Sequence, residues 1–127
     1  SPAARRADER HRRAGDPLAI VTGATRYAAE PLAAELGIDH VVCTRLEVED
    51  GLFTGNIVEP LCYGEGKITL TREIAAAEGF SLSDAIFYSD SITDLPLLEA
   101  VREPMVVNPD GRLKRIAQRR GWPILRW

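Results

Sequence analysis

The chain is predicted to fold as an α/β protein with a mainly parallel sheet, and three patterns in its 127 residues support this prediction. Short apolar runs, typical of strands buried on both faces, alternate with segments whose apolar residues recur at helical spacing. Two consecutive strand–helix–strand passages make a right-handed parallel sheet the default topology. One segment alternates apolar and polar residues around Asp50-Gly51, which predicts a small β-hairpin inserted into this frame.

Glycines and apolar runs mark the elements in the first half of the chain. Gly15 and Gly37 follow good helix-forming segments and are plausible C-caps. Asp16-Pro17 predicts a turn. The predicted elements are, in order, a peripheral helix over 3–14, a strand over 18–22, a helix that opens at Gly23 and ends at Gly37, a strand over 40–44 and the hairpin over 46–58.

The second half continues the alternation of strands and helices. Its predicted elements are a helix from about Lys67 to Gly79, a strand over 85–89, a helix over 95–101, a strand over 104–108, a helix capped by Asp110 that ends at Gly121, and an edge strand over 123–125. The whole order is that of a Rossmann-like α/β fold with a small β-hairpin insertion.

Composition excludes several classes of protein. Apolar content of 45% and charged content of 28% are ordinary for a soluble domain, and a net charge of −3 argues against a dedicated nucleic-acid binder. The chain has no apolar run long enough for a membrane span, so we expect a soluble, cytoplasmic protein. Cys43 and Cys62 lack the spacing of a zinc site and are expected to be buried thiols.

Two aspartates, Asp90 and Asp94, follow the predicted strand over 85–89 in the turn before a helix. Open parallel sheets bind ligands at the carboxyl ends of their strands. Carboxylate oxygens there suit Mg²⁺, which takes one or two carboxylates together with phosphate oxygens and water. The alternative is structural, with Thr93 or Asp94 as the helix N-cap, Pro96 in the first turn and Asp90 as an ordinary polar residue that closes the strand.

Two further positions would suit a phosphate group. Thr22, followed by Gly23, offers a hydroxyl and main-chain N–H groups at an expected helix N-terminus, which binds oxyanions. Lys67 stands at a helix start, where its charge opposes the helix dipole, so an anionic partner would explain its placement. Taken singly, Thr22 is more simply a residue at a tight turn and Lys67 a surface lysine. Their order together with Asp90 and Asp94 indicates magnesium-assisted phosphate chemistry.

With these residues in this order, the chain resembles the haloacid dehalogenase (HAD) superfamily, in particular its phosphoserine-phosphatase-like branch, subfamily IB. The similarity runs from about Arg10 to Trp127 and includes the hairpin. It implies a Mg²⁺-dependent phosphomonoester hydrolase that acts on a small phosphorylated metabolite, such as phosphoserine or histidinol phosphate, through an aspartyl-phosphate intermediate.

The resemblance implies a role for each position. Thr22, with Gly23, would hold the transferring phosphoryl group, and Lys67 would neutralise charge on the nucleophile and the phosphate. Asp90 would ligate Mg²⁺, and Asp94 would order the water shell of the metal. The metal and the lysine together would stabilise the charge of the transition state.

The sequence departs from the family pattern at two points. Thr93 stands where the family usually has an asparagine. The Asp-x-Asp motif that carries the family's nucleophile occurs nowhere in the 127 residues. In the family, that motif lies on a central first strand, between the strands predicted here over 18–22 and 85–89, and a helical cap follows it. We therefore expect residues 1–15 to be a helix leading from a missing cap, and residues 16–127 to be a partial HAD core.

This expectation has consequences for partners and activity. The strands over 18–22 and 85–89 should have unpaired edges, which favour dimerisation, unless the two strands pair directly with each other. The chain by itself is expected to be inactive, and either a homodimer or a missing N-terminal segment would complete it. The alternative function is a non-catalytic HAD-like module or a fragment that completes a partner chain. A response-regulator receiver is disfavoured, because Thr44 stands where such a protein has its phosphoacceptor aspartate.

Overall fold

The computed structural model describes residues 2–15 and 18–127, so the turn predicted at Asp16-Pro17 lies outside the described residues. The helices are α1 (Pro2–Arg13), α2 (Arg26–Leu36), α3 (Gly64–Glu78), α4 (Leu95–Ala100) and α5 (Gly111–Arg120), with short 3₁₀ turns at Leu82–Asp84 and Ile92–Asp94. The strands are β1 (Ala19–Thr25), β2 (His40–Glu49), β3 (Leu52–Val58), β4 (Ile86–Ser89), β5 (Glu103–Val107) and β6 (Ile124–Leu125).

The strands form two three-stranded sheets, in the orders β1-β2-β3 and β4-β5-β6. The pairs β1–β2, β4–β5 and β5–β6 are parallel, and β2–β3 is antiparallel. Asp50 and Gly51 both have positive φ angles, of 50° and 77°, as a tight hairpin turn of the primed type needs. The predicted α/β class, the Rossmann-like parallel pairing and the hairpin are therefore confirmed.

Two predicted boundaries were wrong. The helix expected to open at Gly23 begins at Arg26, because β1 continues in extended backbone through Thr25, and β-branched threonines favour that conformation. The first arm of the hairpin is not a separate strand. No glycine or proline interrupts residues 40–49, so β2 runs unbroken and pairs with β1 through its first half and with β3 through its second.

One apolar core joins the two sheets. Ile68, Leu82 and Leu97 form a buried cluster, against which Val21 of β1 and Phe87 of β4 both pack. Val21 also packs against a second cluster, formed by Val42, Cys62 and Leu70. Phe87 also packs against a third cluster, formed by Leu98, Val106, Leu113 and Ala117. Helix α3, which supplies Ile68 and Leu70, therefore fixes the sheets relative to each other even though no strand bridges them in the described chain.

A gap separates the facing edges of β1 and β4. Within the described residues, β1 pairs with β2 alone and β4 pairs with β5 alone. A cavity of about 500 Å³ lies between the two strands, and its lining includes Leu18 and Ala19 on one side and Ala85, Ile86 and Tyr88 on the other. The prediction of two unpaired edges is confirmed, and the alternative of direct pairing between these strands is wrong.

The helices of the described chain are all too short or too polar to cross a membrane.

Substitution of Gly66 tests how tightly the start of α3 packs. In Gly66→Ala, the new Cβ would lie 2.0 Å from the Leu61 carbonyl oxygen, so the main chain would have to move. We expect the free energy of unfolding, measured by urea denaturation, to fall by about 1–3 kcal/mol or more. Gly111→Ala is the matched control, because that Cβ would meet its nearest neighbour, the Arg115 guanidinium, at 3.5 Å. Equal losses in the two variants would contradict this account.

Candidate active site

A buried ion pair stands where α3 begins and β4 ends. The Lys67 Nζ donates to Asp94 Oδ1 at 2.5 Å, and the Ser89 hydroxyl donates to Asp94 Oδ2 at 2.5 Å. All three residues are buried, with exposed fractions of 5% for Lys67, 9% for Asp94 and 7% for Ser89. Each oxygen of the carboxylate is therefore satisfied, as a buried charge requires. The structure brings together two of the residues that the sequence singled out, Lys67 and Asp94, although they are 27 positions apart.

The backbone around Asp94 shows why its carboxylate points inward. The 3₁₀ turn Ile92–Asp94 is capped by Ser91, whose hydroxyl accepts from the Thr93 N–H at 3.2 Å. Asp94 stands before α4 but makes no side-chain cap hydrogen bond. The interpretation of Asp94 as an ordinary helix cap is therefore wrong, since the carboxylate binds Lys67 and Ser89 instead. Thr93 is exposed, with its hydroxyl 2.7 Å from that of Ser91.

Thr22 lies inside β1. Its hydroxyl accepts from the Ala24 N–H at 3.1 Å, and this local hydrogen bond closes a side-chain turn, called here the Thr22–Gly23 turn, within the irregular part of the strand. Thr22 is not at the N-terminus of a helix as expected, because α2 begins at Arg26. The parallel ladder of β1 with β2 is irregular between Val21 and Thr25, which frees the main chain of the segment between them from regular pairing. The Ala24 N–H donates to the Thr22 hydroxyl, and the Thr22 N–H faces the Cys62 thiol.

Asp90 is exposed, and none of the described residues bonds its carboxylate. Nowhere in the described part of the chain do three or more histidine, cysteine or acidic side chains group together as a ready metal centre. A free carboxylate at the carboxyl end of a strand fits Mg²⁺, which takes few protein ligands and keeps water and phosphate oxygens. Asp94 would act on such a metal through water, since Lys67 and Ser89 already occupy both of its oxygens. Asp90 is thus the described carboxylate of this region that could ligate Mg²⁺ directly.

Cys62 is a fully buried thiol just before α3. Burial raises the pKa of the thiol above the ordinary value of 9.0, although the Lys67 charge and the Thr22 main-chain N–H act to lower that pKa. The prediction of two buried thiols is confirmed, since Cys43 is buried as well.

Sequence reasoning missed four residues of this region. Ser89 binds Asp94, Thr44 accepts a hydrogen bond from the main chain of Cys62, and the Tyr63 ring lies against Gly23. Ser89 and Thr44 each follow an apolar run, at the carboxyl end of the parallel part of a strand, and that position is a signal that could have identified them. Cys62 and Tyr63 carry no such signal, because their contacts are made with strands distant in the sequence.

The arrangement places a buried cation and its carboxylate partner at the carboxyl end of β4. The exposed Asp90 carboxylate follows the same strand. Buried cations and preorganised donors stabilise negative charge far more strongly than the same groups in water. The fold thus defines a Rossmann-like α/β core, with the buried Lys67–Asp94 pair at the carboxyl end of β4.

Comparison with known proteins agrees with this description. A family model for haloacid dehalogenase-like hydrolases matches residues 1–99. The chain belongs to that family, as the resemblance in the sequence predicted.

Two relatives show how the chain relates to longer proteins. A probable phosphatase of Mycobacterium tuberculosis is 47% identical over 115 residues, which cover 91% of this chain and 40% of that protein. The histidinol-phosphatase of Neisseria meningitidis is 38% identical over 129 residues, which cover 98% of this chain and 58% of that protein. The chain therefore spans about half the length of the curated relatives it matches.

Solved structures share the fold. The crystal structure of a protein of unknown function from Bordetella pertussis superimposes with a TM-score of 0.92 at 37% identity, over 98% of this chain and 57% of that one. A phospho-aspartyl intermediate analogue of phosphoserine phosphatase superimposes with a TM-score of 0.72 at 23% identity, over 96% of this chain and 56% of that one, and shows the fold alone.

Removal of Lys67 should destabilise the chain. Lys67→Met leaves the Asp94 carboxylate buried without its cation, which typically costs about 3–5 kcal/mol. We expect a loss of this size in urea denaturation, and a smaller loss in the double variant Lys67→Met/Asp94→Leu, which removes both charges. Lys114→Met, at the exposed lysine of α5, is the matched control and should change the free energy of unfolding by less than about 0.5 kcal/mol. A double variant at least as unstable as Lys67→Met would contradict this account.

The raised pKa of Cys62 predicts a pH dependence of stability. The unfolded chain loses the thiol proton at a lower pH than the folded chain does. The contribution of Cys62 to the free energy of unfolding is therefore fully present below about pH 9, and it is lost as the pH rises through the pKa of the folded state. The free energy of unfolding, measured from neutral pH upward, should fall more steeply in the wild type than in Cys62→Ala. Parallel pH profiles would show that the thiol titrates alike in both states.

Proposed function

We propose that the chain is part of a Mg²⁺-dependent phosphomonoester hydrolase that acts on a small phosphorylated metabolite. The observation that carries the proposal is the buried Lys67–Asp94 pair at the carboxyl end of β4. A lysine held there in a low-dielectric position supplies the positive charge that phosphoryl transfer needs. Family membership and the phosphatase names of the relatives support the same reaction class.

Each site residue has a distinct task in this proposal. The Lys67 ammonium neutralises charge on the phosphoryl oxygens, and Asp94 keeps that ammonium in place through its hydrogen bond. The Thr22 hydroxyl and the Gly23 N–H bind the phosphoryl oxygens from the β1 side. Because these donors are fixed before the substrate arrives, little reorganisation is needed in the transition state.

Asp90 is the residue we assign to Mg²⁺, with Asp94 acting through water. When bound, the metal would polarise the phosphoryl group and neutralise part of its charge. The exposed Asp90 carboxylate would hold the metal in position by direct ligation. The buried Asp94 carboxylate would accept hydrogen bonds from water on the metal and would remain paired with Lys67.

The nucleophile is proposed to lie on an extended segment in the gap between β1 and β4. The 127 residues contain no Asp-x-Asp motif, and both strands that border the gap have an unpaired edge. An aspartate carboxylate on that segment would form a bond to phosphorus while the ester P–O bond breaks and the leaving alkoxide takes up a proton. Water would then hydrolyse the aspartyl-phosphate to inorganic phosphate and the free carboxylate. The segment would come from an additional N-terminal portion, from a second copy or from a partner chain.

The proposed substrates are small phosphate monoesters, with phosphoserine and histidinol phosphate as the first candidates. The N. meningitidis relative is named as a histidinol-phosphatase, and a further M. tuberculosis relative as a phosphoserine phosphatase. The residues described here bind the phosphoryl group that all such esters share.

Phosphate release from these two esters tests the proposal. The gene product that contains the 127 residues should hydrolyse at least one of them with Mg²⁺, and the 127-residue chain alone should not, because it lacks the nucleophile. In the active protein, Asp90→Asn should lower the rate or the apparent Mg²⁺ affinity by about 10- to 100-fold or more. Asp39→Asn, at another exposed aspartate, is the control and should behave as wild type.

Two outcomes would overturn the proposal. Wild-type rates in Asp90→Asn at limiting Mg²⁺ would remove the metal assignment. A gene product that binds inorganic phosphate at Thr22 and Lys67 but turns over neither ester would favour the non-catalytic HAD-like module.

A further inference from the structure

The two residues before α3, Cys62 and Tyr63, join the parts of the site that come from separate elements. Cys62 is fully buried, and it is anchored on β2 at two points. Its N–H donates to Thr44 Oγ1 at 3.2 Å, and its thiol lies 3.7 Å from the Val42 carbonyl oxygen as a donor. The position of Tyr63 relative to the sheet is therefore set by its neighbour.

The Tyr63 ring lies directly on Gly23. A Cβ at position 23 would be 2.4 Å from Cζ of the ring and 2.7 Å from its hydroxyl oxygen, so glycine is the residue that this contact permits. The hydrophobic effect does not explain why the Tyr63 ring makes this contact. The residue remains 54% exposed, so it gains little from removal of apolar surface from water. An exposed ring held against the main chain of one glycine is instead placed to restrain that glycine.

Tyr63 also contacts the start of α3. Its carbonyl oxygen accepts from the Lys67 N–H at 3.3 Å, and the preceding Leu61 carbonyl lies so close to Gly66 that no Cβ fits there. The backbone of Tyr63 is thus part of the first turn that carries Lys67, while its side chain rests on the turn that carries Thr22. One residue connects the two groups that bind the phosphoryl oxygens.

The Thr22–Gly23 turn needs such a restraint. The β1–β2 ladder is irregular between Val21 and Thr25, and the opposite edge of β1 has no strand partner in the described chain. The hydrogen bond from the Ala24 N–H to the Thr22 hydroxyl is local. Outside β1, the segment meets the Cys62 thiol at the Thr22 N–H and the Tyr63 ring at Gly23.

We propose that Tyr63 is a positioning residue whose ring holds the Thr22–Gly23 turn at a fixed place relative to Lys67. This inference rests on the proposed function. The ring acts through its contact with Gly23, and the phenol hydroxyl is not required. Misplacement of reacting groups by about 1 Å can cost about 100-fold in rate, so the loss of the ring should be visible in catalysis although the residue touches no reacting atom.

Steady-state kinetics of the gene product that contains these residues provide the first test. We expect Tyr63→Phe to keep the wild-type kcat and KM, and Tyr63→Ala to lower kcat by about 10- to 100-fold with a smaller change in KM. Tyr27→Ala is the matched control, because Tyr27 is 59% exposed and packs on Phe53 instead of on the turn. Wild-type kcat in Tyr63→Ala, or an equal loss in Tyr63→Phe, would overturn the proposal.

A double-variant cycle isolates the contact with Gly23. Gly23→Ala should displace the ring and lower kcat at least as far as Tyr63→Ala does. Because the clash needs both groups, Gly23→Ala/Tyr63→Ala should be no less active than Gly23→Ala alone. Losses that add in the double variant would show that the two residues act independently, which contradicts the proposal.

Amide hydrogen exchange separates failure of this inference from failure of the proposed function. In the gene product that contains these residues, the Ala24 amide should exchange at least about tenfold faster in Tyr63→Ala than in Tyr63→Phe or wild type, and this measurement needs no turnover. If the gene product proves inactive but this difference is present, the proposed function fails and the positioning role stands. Equal exchange in all three proteins overturns the positioning role whatever the activity.

Discussion

The buried contact between Lys67 and Asp94 is the constraint on which the rest of the site depends. A lysine that is 5% exposed is costly unless a carboxylate pairs with it, and the carboxylate in turn needs its second oxygen satisfied, which Ser89 does. These three groups come from the first turn of α3, the turn before α4 and the end of β4. Each of these elements must be correctly docked before the pair can form, so the ion pair links the geometry of one sheet to the helix that also packs on the other. In the proposed function, the same burial would make the ammonium an effective partner for a phosphoryl group.

Helix α3 holds the two sheets together, although no strand of the described chain joins them. Ile68 and Leu70, close to Lys67 on the same helix, belong to the clusters that hold β1 and β4, although these strands do not pair. The gap between the strands leaves main-chain groups available for one more extended segment. Within the described residues, β1 and β4 each keep one edge without a strand partner. In the proposed function, one extended segment would supply both the missing strand pairing and the nucleophile.

Much of the fold could be predicted from the sequence, and the errors have identifiable causes. The type and order of the elements followed from apolar periodicity and from capping residues such as Asp110, whose side chain accepts from the Leu113 N–H as expected. The start of α2 differs from the predicted start at Gly23, because the β-branched Thr22 and Thr25 favour extended backbone up to Arg26. The Mg²⁺ role of Asp90 and the phosphate roles of Thr22 and Gly23 remain predictions that rest on residue type and on resemblance.

The sequence by itself determined the local properties of this protein, namely its helices, strands, hairpin and family, because these depend on residues that are neighbours along the chain. The tertiary structure decided the partners of the functional side chains. Only the packed chain shows that Asp94 binds Lys67 instead of capping a helix, and that the Tyr63 ring rests on Gly23. These contacts join residues 27 and 40 positions apart, and the pattern of apolar and polar residues carries no information about such pairings until the core has brought the elements together.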